Sequence, residues 1–268
     1  FLAPLIMVGM ATLWGWREAF FLAAVPGLVC AILVAVVMRP PQVKAVEDKF
    51  ADLPQGEGSP LPIMEGLKFR NIWLCMVLSG LSIGWAILNF AFLPLYFTKM
   101  AGYSPATMSV LLSALGLSAL VASILVPWLS DRYGRKPIIL IFTLLSFAVP
   151  VGVMLFGNSL FTLIPFLLIG FMATGATPLL MATIPAETLP STRVAGIMGI
   201  VMGVAEIFAA LAGPLLGGLV ADEFGLGGTL WLQIGFIAAI LVLAALLIET
   251  APRGNPPLAT AGQPSHIH

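Results

Sequence analysis

Charge is what this chain has least of. Of its 268 residues only 9% are charged and 60% are hydrophobic, with mean hydropathy +1.07. A soluble domain carries about 25% charged residues. So few charges cannot cover a water-facing surface, and the chain reads as integral to a membrane. Histidine and cysteine are nearly absent too. The two histidines, His266 and His268, lie in a Pro/Gly-rich tail, and the two cysteines, Cys30 and Cys75, sit inside apolar runs. That pattern gives no metal site and no disulfide framework. No histidine falls within an apolar run, and no HExxH or acid pair at helical spacing occurs. An enzyme, a metal and a cofactor are therefore not expected. Net charge is zero, so nothing argues for nucleic acid. The chain opens on Phe1 inside an apolar run, with no visible signal peptide. It reads as a fragment whose N-terminal part is missing.

What is present is long apolar runs. Seven stretches reach the roughly 20 residues that cross a bilayer: about 19–38, 72–97, 106–129, 137–156, 160–182, 194–220 and 228–248. Residues 1–13 read as the end of an eighth. The runs are too continuous for the alternating strands of a membrane barrel, so the fold expected is all-α. One polar segment interrupts the series: residues 39–70 hold ten of the 24 charges, with Pro40, Pro41, Pro54, Pro60 and Pro62. The organisation expected is 1–38, 39–71 as a linker, 72–250 as a six-helix bundle and 251–268 as a disordered tail. Residues 61–70 suit a short interfacial helix. Placing the linker in the cytoplasm and alternating from there puts ten Lys and Arg inside and two, Arg17 and Lys99, outside. That follows the positive-inside rule.

The remaining charge is knotted. LSDRYGRKPI, 129–138, carries Asp131, Arg132, Arg135 and Lys136, while 100–130 before Asp131 and 137–186 after Lys136 carry none. Lipid anchoring explains the cations but neither Asp131 nor Gly134. Asp131 follows a helix C-terminus, where the macrodipole disfavours it, so it needs a partner. Gly134 permits a turn that a side chain would resist.

The knot resembles the loop signature of the major facilitator superfamily, Gly-x-x-x-Asp-Arg-x-Gly-Arg-Arg/Lys, matched here by Asp131, Arg132, Gly134, Arg135 and Lys136, with Pro127 in place of the first Gly. GWREAFF (15–21), PAETLPSTR (185–193) and the glycine-rich 193–225 resemble further pieces of that family. The resemblance implies seven complete transmembrane helices and a partial one. These would be the end of the fifth helix, the sixth, the central loop and the C-terminal half, without most of the N-terminal half. The knot would be the later copy of the signature, a cytoplasmic gate. Glu187 and Arg193, flanking the turn before 194–220, are expected to join its charge network.

Function follows from the resemblance. It implies a secondary active transporter working by alternating access in a plasma or bacterial inner membrane, with linker and C-terminus cytoplasmic. Its partners would be the bilayer, a small solute, the missing N-terminal helical half and H+ as coupling ion. The default solute is a small organic metabolite or drug-like solute. The alternative is a transporter-like sensor or non-transporting membrane scaffold. Glu206 is the one charge deep in a span, and an ionised acid there costs a few kcal/mol. Its helical neighbours Gly199, Gly203, Ala210 and Gly213 are small, so it is expected to face a helix or cavity and to couple protons or touch substrate. Asn89, Thr174 and Thr177 are the other candidate solute contacts.

Overall fold

The computed structural model describes residues 2–38, 67–189 and 194–251. The linker over 39–71 and the tail over 251–268 fall almost wholly outside these residues, as does Arg193. Among the described residues every regular element is a helix. Six are long and apolar enough to cross a membrane: Trp16–Val37, Arg70–Lys99, Pro105–Tyr133, Arg135–Phe156, Leu160–Thr188 and Gly196–Ala245.

Two units form. The first is a helical pair, α1 (Ala3–Trp14) and α2 (Trp16–Val37), joined at Gly15, whose φ of +99° few residues with a Cβ adopt. Within this pair only Ala19 is buried. The Arg17 guanidinium lies 5.2 Å from the centre of the Trp16 ring, a cation–π contact at the helix start.

The second unit is the bundle. Its helices are α3 (Arg70–Lys99), α4 (Pro105–Tyr133), α5 (Arg135–Leu145), α6 (Ala148–Phe156), α7 (Leu160–Phe171), α8 (Ile184–Thr188) and α9 (Val194–Ala245). Ser104 starts α4 by accepting the Thr107 N–H at 3.2 Å, with Pro105 in the first turn. α9 is broken at Gly225, where φ is +72° and ψ 176°. Its apolar stretch of 50 residues would otherwise run about 75 Å, more than twice the roughly 30 Å of a hydrocarbon core.

α3 is the central helix, and both arms of α9 lie on it. The first arm presents one ridge of small and β-branched residues: Ile197, Val201, Ala205, Ala209, Gly213 and Gly217, each four after the last and each buried. A Cβ on Gly213 would stand 3.2 Å from the Gly84 carbonyl oxygen, and one on Gly217 2.3 Å from the Phe92 ring. Small residues at this spacing let backbones meet where lipid supplies no hydrophobic drive between helices.

The span Leu160–Thr188 is not one smooth helix. α7 tightens into a 3-10 segment at Met172–Ala176, opens into a π segment at Leu179–Thr183 and ends in α8. Pro178 has no N–H to give at the changeover. The Met172 N–H turns to the Ile169 carbonyl, and the Leu168 carbonyl takes the Ser118 hydroxyl instead, at 2.5 Å. Gly175 lets the segment reach α4: a Cβ there would lie 2.4 Å from the Ala122 carbonyl oxygen.

Candidate functional site

Of the knot's charged residues, Arg135 alone is buried, at one end of the bundle. Gly134 ends α4, donating its N–H to the Ser130 carbonyl at 3.0 Å, and starts α5 with φ +106°. That turn points the Arg135 side chain back into the helix ends, where it is 9% exposed. Its guanidinium donates from Nε and Nη2 to Glu187 Oε1 at 3.2 and 2.7 Å, and from Nη1 to Ser130 Oγ at 3.1 Å and to the Asp131 carboxylate. The Glu187 side chain is 23% exposed and that of Asp131 67%. A cation at a helix N-terminus opposes the macrodipole; two carboxylates and a planar fork that matches them offset this.

A third carboxylate completes the site. Glu249 accepts the backbone N–H groups of Arg135 at 2.8 Å and Lys136 at 3.1 Å. It thereby caps the first turn of α5, two N–H groups with no partner in their own helix. Burial acts to raise the Glu249 carboxyl, but donation from the backbone of Ala251, Arg135, Lys136 and Thr250 holds it below the usual range. The Thr250 hydroxyl donates to Glu187 Oε2 at 2.6 Å. The Asn71 side chain trades two hydrogen bonds with the Ile248 backbone, at 3.1 and 3.0 Å. Residues Ile248–Thr250 thus tie down α3, α5 and α8 together. Gly134 is doubly required, because a Cβ there would come 2.9 Å from Glu249 Oε2.

Of the seven residues expected here, Asp131, Gly134, Arg135 and Glu187 converge. The Lys136 backbone joins, while Arg132 is exposed and makes no ion pair among the described residues. Arg193 lies outside those residues. Glu249, Thr250 and Asn71 were not expected. The signal was an acid directly after the last apolar run, on the side already given to Arg135.

Asn89 is fully buried and donates to the Trp85 carbonyl at 2.8 Å. The Thr174 hydroxyl donates to the Phe171 carbonyl at 2.8 Å, and Thr177 is half-buried. Glu206 is exposed on the first arm of α9, on a face with Gly199, Gly203 and Ala210. A Cβ on Gly199 or Gly203 would meet nothing within 4 Å. Only Gly213, of the small neighbours, turns onto the packed ridge. Within the bundle this face is uncovered, not buried against another helix.

The sequence matches the family model described as Major Facilitator Superfamily over residues 1–205 and again over 72–266. The chain belongs to the major facilitator superfamily. As a member of it, and with its apolar helices, it is an integral multi-pass membrane protein. It is 28% identical over 189 residues to a multi-drug resistance efflux pump of Streptococcus pneumoniae, covering 68% of this chain and 46% of that one. It is 25% identical over 253 residues to a gentisate transporter of Corynebacterium glutamicum, covering 90% and 53%. With a glycerol-3-phosphate transporter of Bacillus subtilis it shares 24% over 284 residues, covering 95% and 61%. The chain thus spans about half the length of the curated relatives it matches.

Proposed function

We propose that the protein is a secondary active transporter that moves a small organic solute by alternating access, driven by protons. The observation that carries this reading is the buried Arg135 guanidinium, held by Asp131 and Glu187 with Glu249 beneath, at one end of a superfamily bundle. A contact of this kind is worth roughly 1.5–3 kcal/mol when shielded, the scale of a conformational equilibrium between two access states. In this reading the cluster is a cytoplasmic gate, and the linker and C-terminus are cytoplasmic. The two arms of α9 make two crossings, giving seven complete spans, with α1 belonging to an eighth. The uncovered Glu206 face meets an N-terminal helical half or the solute path, and Glu206 carries the coupling proton. Asn89, Thr174 and Thr177 lie toward the solute. The relatives' names support a solute-moving role, and their spread, from drugs to gentisate to glycerol-3-phosphate, supports nothing narrower than a small organic solute.

The experiment is reconstitution into liposomes with an imposed pH gradient and a panel of labelled organic solutes. Gradient-driven accumulation of at least one solute, lost in Arg135→Ala while the protein stays folded, is the expected result. Folded protein that neither accumulates nor exchanges any solute overturns it and leaves a sensor or scaffold.

A further inference from the structure

Inside the bundle lies a small, partly open cavity of about 20 Å³. Ser82 and Trp85 of α3 line it, with Thr143 of α5, Ser146 in the turn before α6 and Thr174 of the 3-10 segment. Ala176 and apolar neighbours close it. Trp85 is 3% exposed, and its indole N–H is buried with no acceptor among the described residues. The ring is held against Phe171, centroids 5.4 Å apart and planes inclined by 32°. The hydroxyl of Ser146 donates to the Thr143 carbonyl at 2.6 Å and that of Thr174 to the Phe171 carbonyl at 2.8 Å. Each hydroxyl oxygen so engaged can still accept.

We propose that this cavity binds one ordered water molecule, which accepts the indole N–H of Trp85 and donates to the hydroxyl oxygens of Thr143, Ser146 or Thr174. Three observations converge. A water needs about 10–15 Å³ of such space and two to four polar partners; the cavity has room for one, and Ser82, Trp85, Thr143, Ser146 and Thr174 bring polar groups to its wall. A buried donor is rarely left unpaired, because doing so forfeits its hydration for nothing. None of the lining residues is charged, so the site suits a neutral molecule that both accepts and donates. Its position gives it a role. It sits where two spans leave α geometry, at the Ser146 turn and at Met172–Ala176. Backbone groups change partners when such segments change pitch, and a water can follow them where a fixed side chain cannot. The site is a hydrated joint that shares Thr174 with the transport reading, and the water cross-peak below is read without any transport.

The test is solution NMR of the protein labelled with 15N-tryptophan in lipid nanodiscs. Trp85→Phe removes one of the six indole signals and so assigns it. The expected result is a dipolar cross-peak between that indole proton and water, with the sign of a bound molecule rather than of chemical exchange. Ala176→Leu, which fills the space, loses the cross-peak while the other five indole signals keep their positions. Ser146→Ala keeps the room but removes one partner; it retains the cross-peak and shifts the indole proton. A Trp85 indole with no water cross-peak, with exchange alone, or with a cross-peak unchanged by filling overturns the proposal.

Discussion

Arg135 shows how little sequence separation says about who pays for a buried charge. Asp131 is four residues away and Glu187 fifty-two, yet the distant carboxylate is the better shielded, 23% exposed against 67%. Water screens Asp131, so its pairing is worth under about 1 kcal/mol. Glu187 takes two guanidinium nitrogens and the Thr250 hydroxyl. Glu187→Gln is therefore expected to lower stability by about 2 kcal/mol, and Asp131→Asn by less than half of that. Thermal unfolding of the two variants in the same detergent checks the order. Equal losses would mean that exposure does not rank these contacts. Both substitutions should also slow transport if the cluster is a gate.

At the scale of elements, the decisive feature is that one short exit segment caps another helix. Glu249 has a depressed carboxyl pKa, so it adds stability above its unfolded value of about 4.3 and loses it as pH falls through the folded value. Wild type should therefore unfold at higher temperature than Glu249→Gln at neutral pH. The gap should close as the pH is lowered below about 4. A gap that persists at low pH would assign the loss to packing. A second test concerns the contact of α4 with the 3-10 segment. Gly175→Ala forces a methyl against the Ala122 carbonyl and should cost about 1–3 kcal/mol. Gly203→Ala, at an open position, should gain about 0.5–1 kcal/mol from helix propensity.

Elements differ in how well the sequence foretells them. Hydropathy and length locate the long apolar helices because the bilayer imposes both, but six qualify among the described residues where seven complete spans were expected, because 194–220 and 228–248 fall in one helix broken at Gly225. The knot was legible because charge is so rare here that four charges together stand out. The Glu249 cap was not, since its partners lie 114 and 113 residues away and no periodicity links them. The change of pitch in Leu160–Thr188 was also hidden. Pro178 marks the place, but the 3-10 and π turns depend on Gly175 meeting α4 and on the Ser118 hydroxyl taking a freed carbonyl.

At the scale of the whole molecule, the uncovered face of α9 is where the bundle meets whatever lies beside it. Glu206, Gly199 and Gly203 share that face. If an N-terminal helical half covers it, Gly203→Leu should abolish transport while leaving the bundle's own unfolding temperature nearly unchanged. If lipid covers it, transport should survive. Glu206→Gln separates coupling from packing: loss of proton-driven accumulation with solute exchange retained supports coupling, and unchanged accumulation and pH dependence refute it.

The Asn71–Ile248 pair has a consequence for topology. These residues are 177 positions apart in sequence, yet they exchange two hydrogen bonds. The bundle therefore leaves and returns to one point, like a loop of cord tied at its base. Chain ends that meet can be joined, and a joined loop can be cut elsewhere at an exposed turn. A permuted bundle in which a short Gly/Ser link runs from Ala251 to Phe69, with new ends at the exposed Asn158, would preserve each helix-to-helix contact described above. The order in which its helices are inserted into the bilayer would change. Comparing the yield of folded permutant with that of the natural order would show whether this architecture depends on that order or only on its contacts.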